Sequence, residues 1–227
     1  LPNVSVVIPA FNEAASIAGV VRVSKSVLSD DDEVVVVDDG STDDTAVRAA
    51  EAGARVVRLA RNSGKGAALE AGIEAARGEV CVFIDADGQD DPREIPILLE
   101  AMDEDVAMVI GSRFIGTFQD GAITQLNKLG SRALLELLNG LFRVHITDPF
   151  AGFRAVRKSA LSSISISASG FDIEVDILLA LLRRGERVVE VPVTRKRRAH
   201  GTSHLRSIED GFRILRRILW HRVRNEA

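Results

Sequence analysis

The segment VFIDADGQDDP, residues 82–92, runs from an apolar strand into four aspartates, Asp85, Asp87, Asp90 and Asp91, within seven residues. In an extended segment Asp85 and Asp87 project to the same side, which brings two carboxylates close together. Like charges so placed repel and raise each other's pKa unless a cation stands between them. A hard divalent ion meets that need with oxygen ligands, and Gln89 continues the same alternating face with a neutral carbonyl. Asp85, Asp87 and Gln89 are therefore candidate ligands for Mg2+ or Mn2+, ions that keep positions open for phosphate oxygens. Asp90 and Asp91, just before Pro92, suit the start of the following helix.

Such a cluster needs rigid elements to hold it, and the chain supplies them in a regular alternation. Apolar, β-branched runs at 4–10, 33–39, 54–60, 79–85 and 106–112 read as strands. Each is too uniformly apolar for a one-sided sheet, so both faces should be covered. Helical patterns lie between them, at 13–28, 44–52, 65–76 and 92–102. The alternation argues an α/β fold, a doubly wound and mostly parallel sheet with helices on both faces. Beyond residue 115 the pattern changes to a long helix over 123–142, a turn and strand in DPFAGFRAVRK, and a helix in FDIEVDILLALLRRG. A strand in RVVEVPVTRK and a final amphipathic helix over 205–224 follow. The expectation is one domain over 1–227, with a ligand-binding half at 1–115 and a second half at 116–227.

Open α/β sheets bind ligands at the carboxyl ends of their strands. Three polar clusters fall at three such ends: PAFNE after the first strand, DDGSTD after the second and DADGQ after the fourth. Together they gather Glu13, Asp38, Asp39, Asp85, Asp87 and Gln89 around one crevice. A carboxylate at the second strand end can accept hydrogen bonds from a ribose or a base. In RNSGKGAALEAG, two glycines and Lys65 at a helix start suit a phosphate. No G-x-G-x-x-G follows the first strand, and the lysine segment is not a Walker loop.

The composition, 46% hydrophobic and 27% charged in 227 residues, is that of a globular protein with a substantial core. A single cysteine excludes an internal disulfide framework, and Cys81 reads as a buried strand residue. No apolar run approaches the roughly 20 residues of a membrane span, and the first residues read as a strand rather than a signal peptide. The net charge of −4 hides an asymmetry, because residues 183–227 hold thirteen Lys and Arg against five Asp and Glu. Few aromatics interleave these cations, which argues against nucleic acid. The final helix spaces Phe212, Leu215, Ile218 and Leu219 on one face with arginines beside them. That pattern suits either packing on the domain or peripheral contact with a membrane surface.

The ordered segments VSVVIPAFNE, VVVVDDGSTDDT, GKGAALEAGIEAARGEVCVFIDADGQDDP, GSRF, DPFAGFRAVRK, FDIE and VPV with RAHGTSHL carry a resemblance over almost the whole chain. The chain resembles the inverting family 2 glycosyltransferases of the GT-A fold, most of all the dolichyl- and polyprenyl-phosphate mannosyl- and glucosyltransferase group. The resemblance implies a metal-dependent transfer of a hexose from GDP-mannose or UDP-glucose to a lipid phosphate. An alternative is transfer to a sugar or glycerate hydroxyl, and another is a non-catalytic nucleotide-sugar-binding scaffold. It implies donor contacts at Pro9, Phe11, Glu13, Asp38, Asp39, Lys65, Asp85, Ala86, Arg198 and His204, with Asp85 and Asp87 as the D-x-D pair. Gln89 would join that pair on Mg2+ or Mn2+, Arg113 would face the reacting phosphate, and Arg132 the acceptor phosphate. His204 stands where the family commonly has Lys, replacing a fixed charge with a titratable one. A hydroxyl acceptor would need a carboxylate base, for which Asp148, Asp172 and Glu174 are the candidates. A cytoplasmic location, or the cytoplasmic face of a membrane, is the matching expectation. D-x-D-G also opens the nucleophile loop of haloacid-dehalogenase-like phosphatases. There it follows the first strand, whereas here it follows the fourth and continues with Gln89.

Overall fold

A computed structural model describes residues 3–122, 125–168, 170–198 and 207–223. Strands β1 (Val4–Ala10), β2 (Glu33–Asp38), β3 (Arg55–Arg58) and β4 (Val80–Phe83) alternate with helices α1 (Ile17–Ser26), α2 (Thr45–Glu51) and α3 (Lys65–Ala75). A 3-10 turn (Pro92–Glu94) and α4 (Ile95–Glu100) lead to β5 (Val106–Phe118) and α5 (Gln125–Phe142). Then come β6 (Arg154–Arg157), α6 (Lys158–Ser162), α7 (Ile173–Arg183), β7 (Arg187–Arg195) and α8 (Ser207–Val223). The seven strands form one sheet in the order β3-β2-β1-β4-β6-β5-β7. Strands from both halves of the chain share it. Only β6 runs antiparallel, wedged between β4 and β5.

The strands are apolar on both sides because both sides are covered. Val6, Ile8, Val34, Val36 and Val82 face a layer containing Ile17 and Val21 of α1, Ala49 of α2 and Leu98 of α4. Their neighbours Val7, Val35, Val37, Cys81 and Phe83 face Ala68 and Leu69 of α3 and Ile177 and Leu181 of α7. Each buried valine contributes about 1.5–3 kcal/mol relative to exposure, so the central strands anchor everything mounted on their ends. Burial pushes the Cys81 thiol up to about 11, which fits an inert core residue. Helix α3 lies close against the sheet through Gly72, where an added Cβ would stand 2.3 Å from Val7 Cγ1. A third cluster joins Leu138 of α5, Val175 and Leu179 of α7, and Ile214 and Ile218 of α8.

Three local differences from the sequence reading have physical causes. The first helix starts at Ile17 rather than Glu13. The backbone N–H groups of Asn12, Glu13 and Ala14 instead donate to Ser41, Thr45 and Asp43 in the loop after β2. Strand β5 continues to Phe118, six residues beyond the apolar run, because β7 pairs alongside it with a shift in register. Asp91 does open the 3-10 turn, accepting from the Arg93 N–H. Asp90 does not belong to that turn: it is buried, with Oδ1 2.7 Å from Arg195 Nη1.

Candidate active site

The carboxyl ends of β1, β2 and β4 meet on one edge of the sheet, since Ala10 is in register with Asp38 and Val7 with Phe83. The loop after β1 is tied to the loop after β2, with Asn12 Oδ1 accepting from Thr42 N at 2.9 Å. Asp38 is wholly buried at this end and accepts from Ser41 N through Oδ1. Arg58 Nε comes within 3.1 Å of its Oδ2 without hydrogen-bonding geometry, so that buried oxygen lacks a hydrogen bond. Asp39 turns the other way and receives Ser63 N and Gly64 N at 2.7 and 2.9 Å. Burial raises its pKa against those hydrogen bonds. Asp39, expected at the donor, thus holds the loop that leads into α3. Pro9 and Phe11, half-buried, and Ala86, buried, flank these carboxylates on the same strand ends.

From the end of β4 a chain of alternating charges crosses the crevice. Lys65 Nζ, at the start of α3, lies 2.7 Å from Asp85 Oδ1 and 2.6 Å from Glu174 Oε1. Burial works against its charge, but the two carboxylates outweigh that and hold its pKa above the usual lysine value. The Asp85 carboxyl would likewise be raised by burial, yet Lys65 and Arg195 bring it down to about 2. Asp87 shifts the other way, raised by burial and by the Asp85 charge despite Arg195. Arg198 spans Asp87 Oδ2 at 2.6 Å and Glu13 Oε1 at 3.0 Å. Gly152 lets the loop before β6 pass beside this chain; a Cβ there would sit 3.2 Å from both Asp85 oxygens.

Gln89, expected as a third metal ligand, is turned elsewhere. Its Oε1 accepts from Arg195 Nη2 at 3.0 Å, and its Nε2 donates to the Lys196 carbonyl at 3.0 Å. Here it braces the aspartate loop against the end of β7. Among the described residues no three His, Cys, Asp or Glu side chains are grouped to hold a metal ion. Magnesium in phosphate-handling sites needs only one or two carboxylates, the rest of its shell being water and substrate phosphates. Asp85 and Asp87 meet that requirement.

The remaining candidates are placed by pairing. Arg113 on β5 forks onto Asp148, with Nε 2.6 Å from Oδ2 and Nη2 2.7 Å from Oδ1. Asp148, with no exposed surface, also accepts from the Arg113 N–H. Both its oxygens are committed to Arg113, so Asp148 positions that guanidinium and is not turned to take a proton. Asp172, at the start of α7, pairs with Arg217 of α8 at 2.9 Å. Arg132 is exposed on α5, and His204 lies outside the described residues.

Sequence reasoning missed four residues that organise the site. Arg195 contacts Asp90 and Gln89 and lies 4.0 Å from Asp85 and 3.8 Å from Asp87. Glu190 receives Thr147 N and Asp148 N at 2.7 and 2.9 Å. Arg154, almost wholly buried, donates to the carbonyls of Ala151 and Glu174. Arg217 ties α8 to the start of α7. For Arg195, Glu190 and Arg154 a charged residue inside a strand pattern was the available signal, and the partners of Arg195, Glu190 and Arg217, more than forty residues away in sequence, gave no local one.

The Glycosyl transferase family 2 model matches residues 5–165. Glycosyltransferase AglJ of Haloferax volcanii is 31% identical over 211 residues, covering 92% of this chain and 68% of that protein. A dolichol-phosphate mannosyltransferase of Pyrococcus furiosus is 34% identical over 223 residues, covering 95% of this chain and 62% of that protein. The chain thus spans about two thirds of the length of these relatives. Among solved structures, glucosyl-3-phosphoglycerate synthase of Mycobacterium tuberculosis superposes with a TM-score of 0.78 at 29% identity. The match covers 97% of this chain and 80% of the synthase, which was crystallised with Mn2+, UDP-glucose and phosphoglyceric acid.

Proposed function

The chain belongs to glycosyl transferase family 2, with the α/β GT-A fold, and from that premise we propose that it moves a hexose from a nucleotide sugar to a polyprenyl phosphate. The observation that carries this reading is the state of the three candidate bases. Asp148 gives both oxygens to Arg113, while Asp172 and Glu174 each give one, to Arg217 and Lys65, all at 2.9 Å or less. A hydroxyl acceptor needs a carboxylate oxygen turned toward its proton. A phosphate monoester, with a second pKa near 6, is already ionised at neutral pH and needs only to be positioned. The likeness to the dolichol-phosphate mannosyltransferase supports the same acceptor class.

The transfer is a single in-line displacement at the anomeric carbon, with inversion and departure of a nucleoside diphosphate. Asp38 and its orphaned Oδ2 receive a donor group from the nucleotide's base or ribose. Asp85 and Asp87 would hold Mg2+ or Mn2+, which when bound would supply charge stabilisation for the leaving diphosphate. Among the described residues, five carboxylates (Glu13, Asp85, Asp87, Asp90 and Glu174) face three cations (Lys65, Arg195 and Arg198) in this cluster. The surplus of negative charge suits a divalent ion. Arg198 adds a fixed positive charge to the same edge, and Arg113, held in plane by Asp148, faces the incoming acceptor phosphate.

No described helix is long and apolar enough to cross a membrane. Helix α8 exposes Phe212, Leu219 and Val223. With its arginines it supplies the peripheral membrane contact at the cytoplasmic face that a polyprenyl acceptor calls for. The test is a screen of UDP-glucose and GDP-mannose in Mn2+, crossed with polyprenyl phosphate and phosphoglyceric acid, reading nucleoside diphosphate release. Release dependent on polyprenyl phosphate is expected. Release only with phosphoglyceric acid would move the acceptor to the hydroxyl class, and no release under any pair would leave a binding scaffold.

A further inference from the structure

We propose that Arg195 is a built-in counter-cation that withholds Asp85 and Asp87 from a divalent metal until the nucleotide diphosphate arrives with it. The proposal rests on the glycosyltransferase reading above and concerns the order in which its ligands bind. Arg195 ends β7, and its backbone is fixed on both sides: Gln119 N donates to its carbonyl at 2.9 Å, and it bridges to Asp90. Its side chain is nearly enclosed, and both ends of the guanidinium are used. Nη1 lies 2.7 Å from Asp90 Oδ1 and 4.0 Å from Asp85 Oδ2. Nη2 lies 3.0 Å from Gln89 Oε1 and 3.8 Å from Asp87 Oδ2.

A fixed positive charge thus faces both aspartates of the pair from within 4.0 Å. It is locked to Asp90 and Gln89, so it cannot swing away as an exposed lysine would. A metal ion alone must enter beside that charge and beside Lys65 and Arg198. An ion carrying a diphosphate brings negative oxygens that offset the repulsion. Arg195 also differs from a simple brace. The loop stays tied to β7 without its side chain, through Lys196 N to the Gln89 carbonyl at 2.7 Å and Gln89 Nε2 to the Lys196 carbonyl. Removing the guanidinium therefore removes charge and leaves the loop's course in place.

The probe is Mn2+ alone, with free ion counted by electron paramagnetic resonance, repeated in saturating UDP and in saturating GDP. In the wild type either nucleotide is expected to tighten Mn2+ binding at least tenfold. Arg195→Met is expected to bind Mn2+ alone about tenfold more tightly than the wild type. The tightening by nucleotide should shrink, because the diphosphate no longer has that charge to offset, and by linkage Mn2+ should tighten nucleotide binding by correspondingly less. Arg195→Met also leaves buried Asp90 without its partner, which can cost the fold. The double variant Arg195→Met/Asp90→Asn removes that conflict and should show the same direction of change. Arg195→Lys, which keeps charge without the fork, should stay within about threefold of the wild type. Mn2+ affinity unchanged or weakened in both Met variants, with circular dichroism intact, would overturn the role of Arg195 alone. A wild type that binds no Mn2+ with either nucleotide would overturn the metal-dependent reading itself.

Discussion

At the ends of β1 and β4 charge is shared along the crevice, whereas around β6, α7 and α8 it is locked into a closed pair and one small buried cluster. Asp87 faces Arg198 and Arg195, Lys65 divides itself between Asp85 and Glu174, and Arg198 bridges Asp87 and Glu13. No group in that series has a partner to itself, so an incoming ion or phosphate can redistribute contacts without stranding a buried charge. Arg113 and Asp148 form a closed fork instead, and His221 and Asp176 meet at 2.8 Å with both side chains almost wholly buried. Breaking a closed pair leaves an uncompensated charge in a poorly solvated place. The shared network is thus suited to exchange ligands, and the paired one to hold shape.

The largest expected effect on ligand binding falls on the shared side. Asp87→Ala removes one of the two carboxylates proposed to hold the metal and should weaken UDP-glucose or GDP-mannose binding in Mn2+ by at least about 100-fold, roughly 2.7 kcal/mol. Isothermal titration calorimetry with and without Mn2+ measures it. Unchanged affinity would remove Asp87 from the metal site. Fold stability should barely move, because Arg198 keeps Glu13 and Arg195 keeps Asp90.

On the paired side the consequences reverse. Asp148→Ala strands the Arg113 guanidinium and should lower stability by about 3–5 kcal/mol in urea unfolding. A loss below about 1 kcal/mol would show that Arg113 finds another partner and that the pair is not closed. Transfer activity should fall as well, through misplacement of Arg113 rather than loss of a proton acceptor. The activity of Asp148→Ala should therefore show no new dependence on pH.

A smaller effect appears at low pH where α8 meets α7. The Asp176 carboxyl is held below its usual range: burial opposes this, but hydrogen bonds from His221 and the Ser167 N–H, with the Arg217 charge, outweigh it. A depressed folded pKa stabilises the fold in full above the unfolded value of about 4, and that contribution fades as pH falls through the folded one. Asp176→Asn cannot lose it by protonation. Its unfolding midpoint should be lower than the wild type's at pH 6, with the gap closing as pH falls below about 4. A constant gap across that range would mean that Asp176 packs rather than pairs.

The two regions were unequally legible in the sequence. The crevice at the strand ends could be read because its residues lie in short loops directly after apolar strands, so Glu13, Asp38, Asp85 and Asp87 are placed by the sheet itself. What could not be read there was the partner of each carboxylate. Arg195 reaches Asp85 across more than a hundred residues, and only the pairing of β5 with β7 brings it there. The turned-away Gln89 follows from the same contact. On the other side the helices were visible in their periodicity, but Asp148, Asp172 and Glu174 looked alike as acids. Their cations come from β5, α8 and α3, elements whose packing no local pattern encodes. The antiparallel β6 was hidden for a related reason, since four residues of RAVR carry no sign of direction.

The smallest expected change is also the one that separates the two acceptor classes. Asp172→Asn keeps a hydrogen-bonding side chain at the start of α7, and Arg217 retains Asp176 at 3.3 Å and the Ser167 hydroxyl at 2.6 Å. The local fold should therefore persist, with an unfolding midpoint close to the wild type's. If the acceptor is a phosphate, no proton is removed at the attacking oxygen, and kcat with polyprenyl phosphate should fall less than about tenfold. If the acceptor is a hydroxyl and Asp172 takes its proton, general-base catalysis of 100- to 10,000-fold would be lost. Steady-state rates for Asp172→Asn and Glu174→Gln side by side distinguish these outcomes. Loss in Glu174→Gln alone would instead trace to Lys65 and its hold on Asp85, because that pair shares the ammonium. A large loss in Asp172→Asn with the fold intact would place a base on the paired side, and the division between a ligand-exchanging region and a shape-holding one would no longer stand.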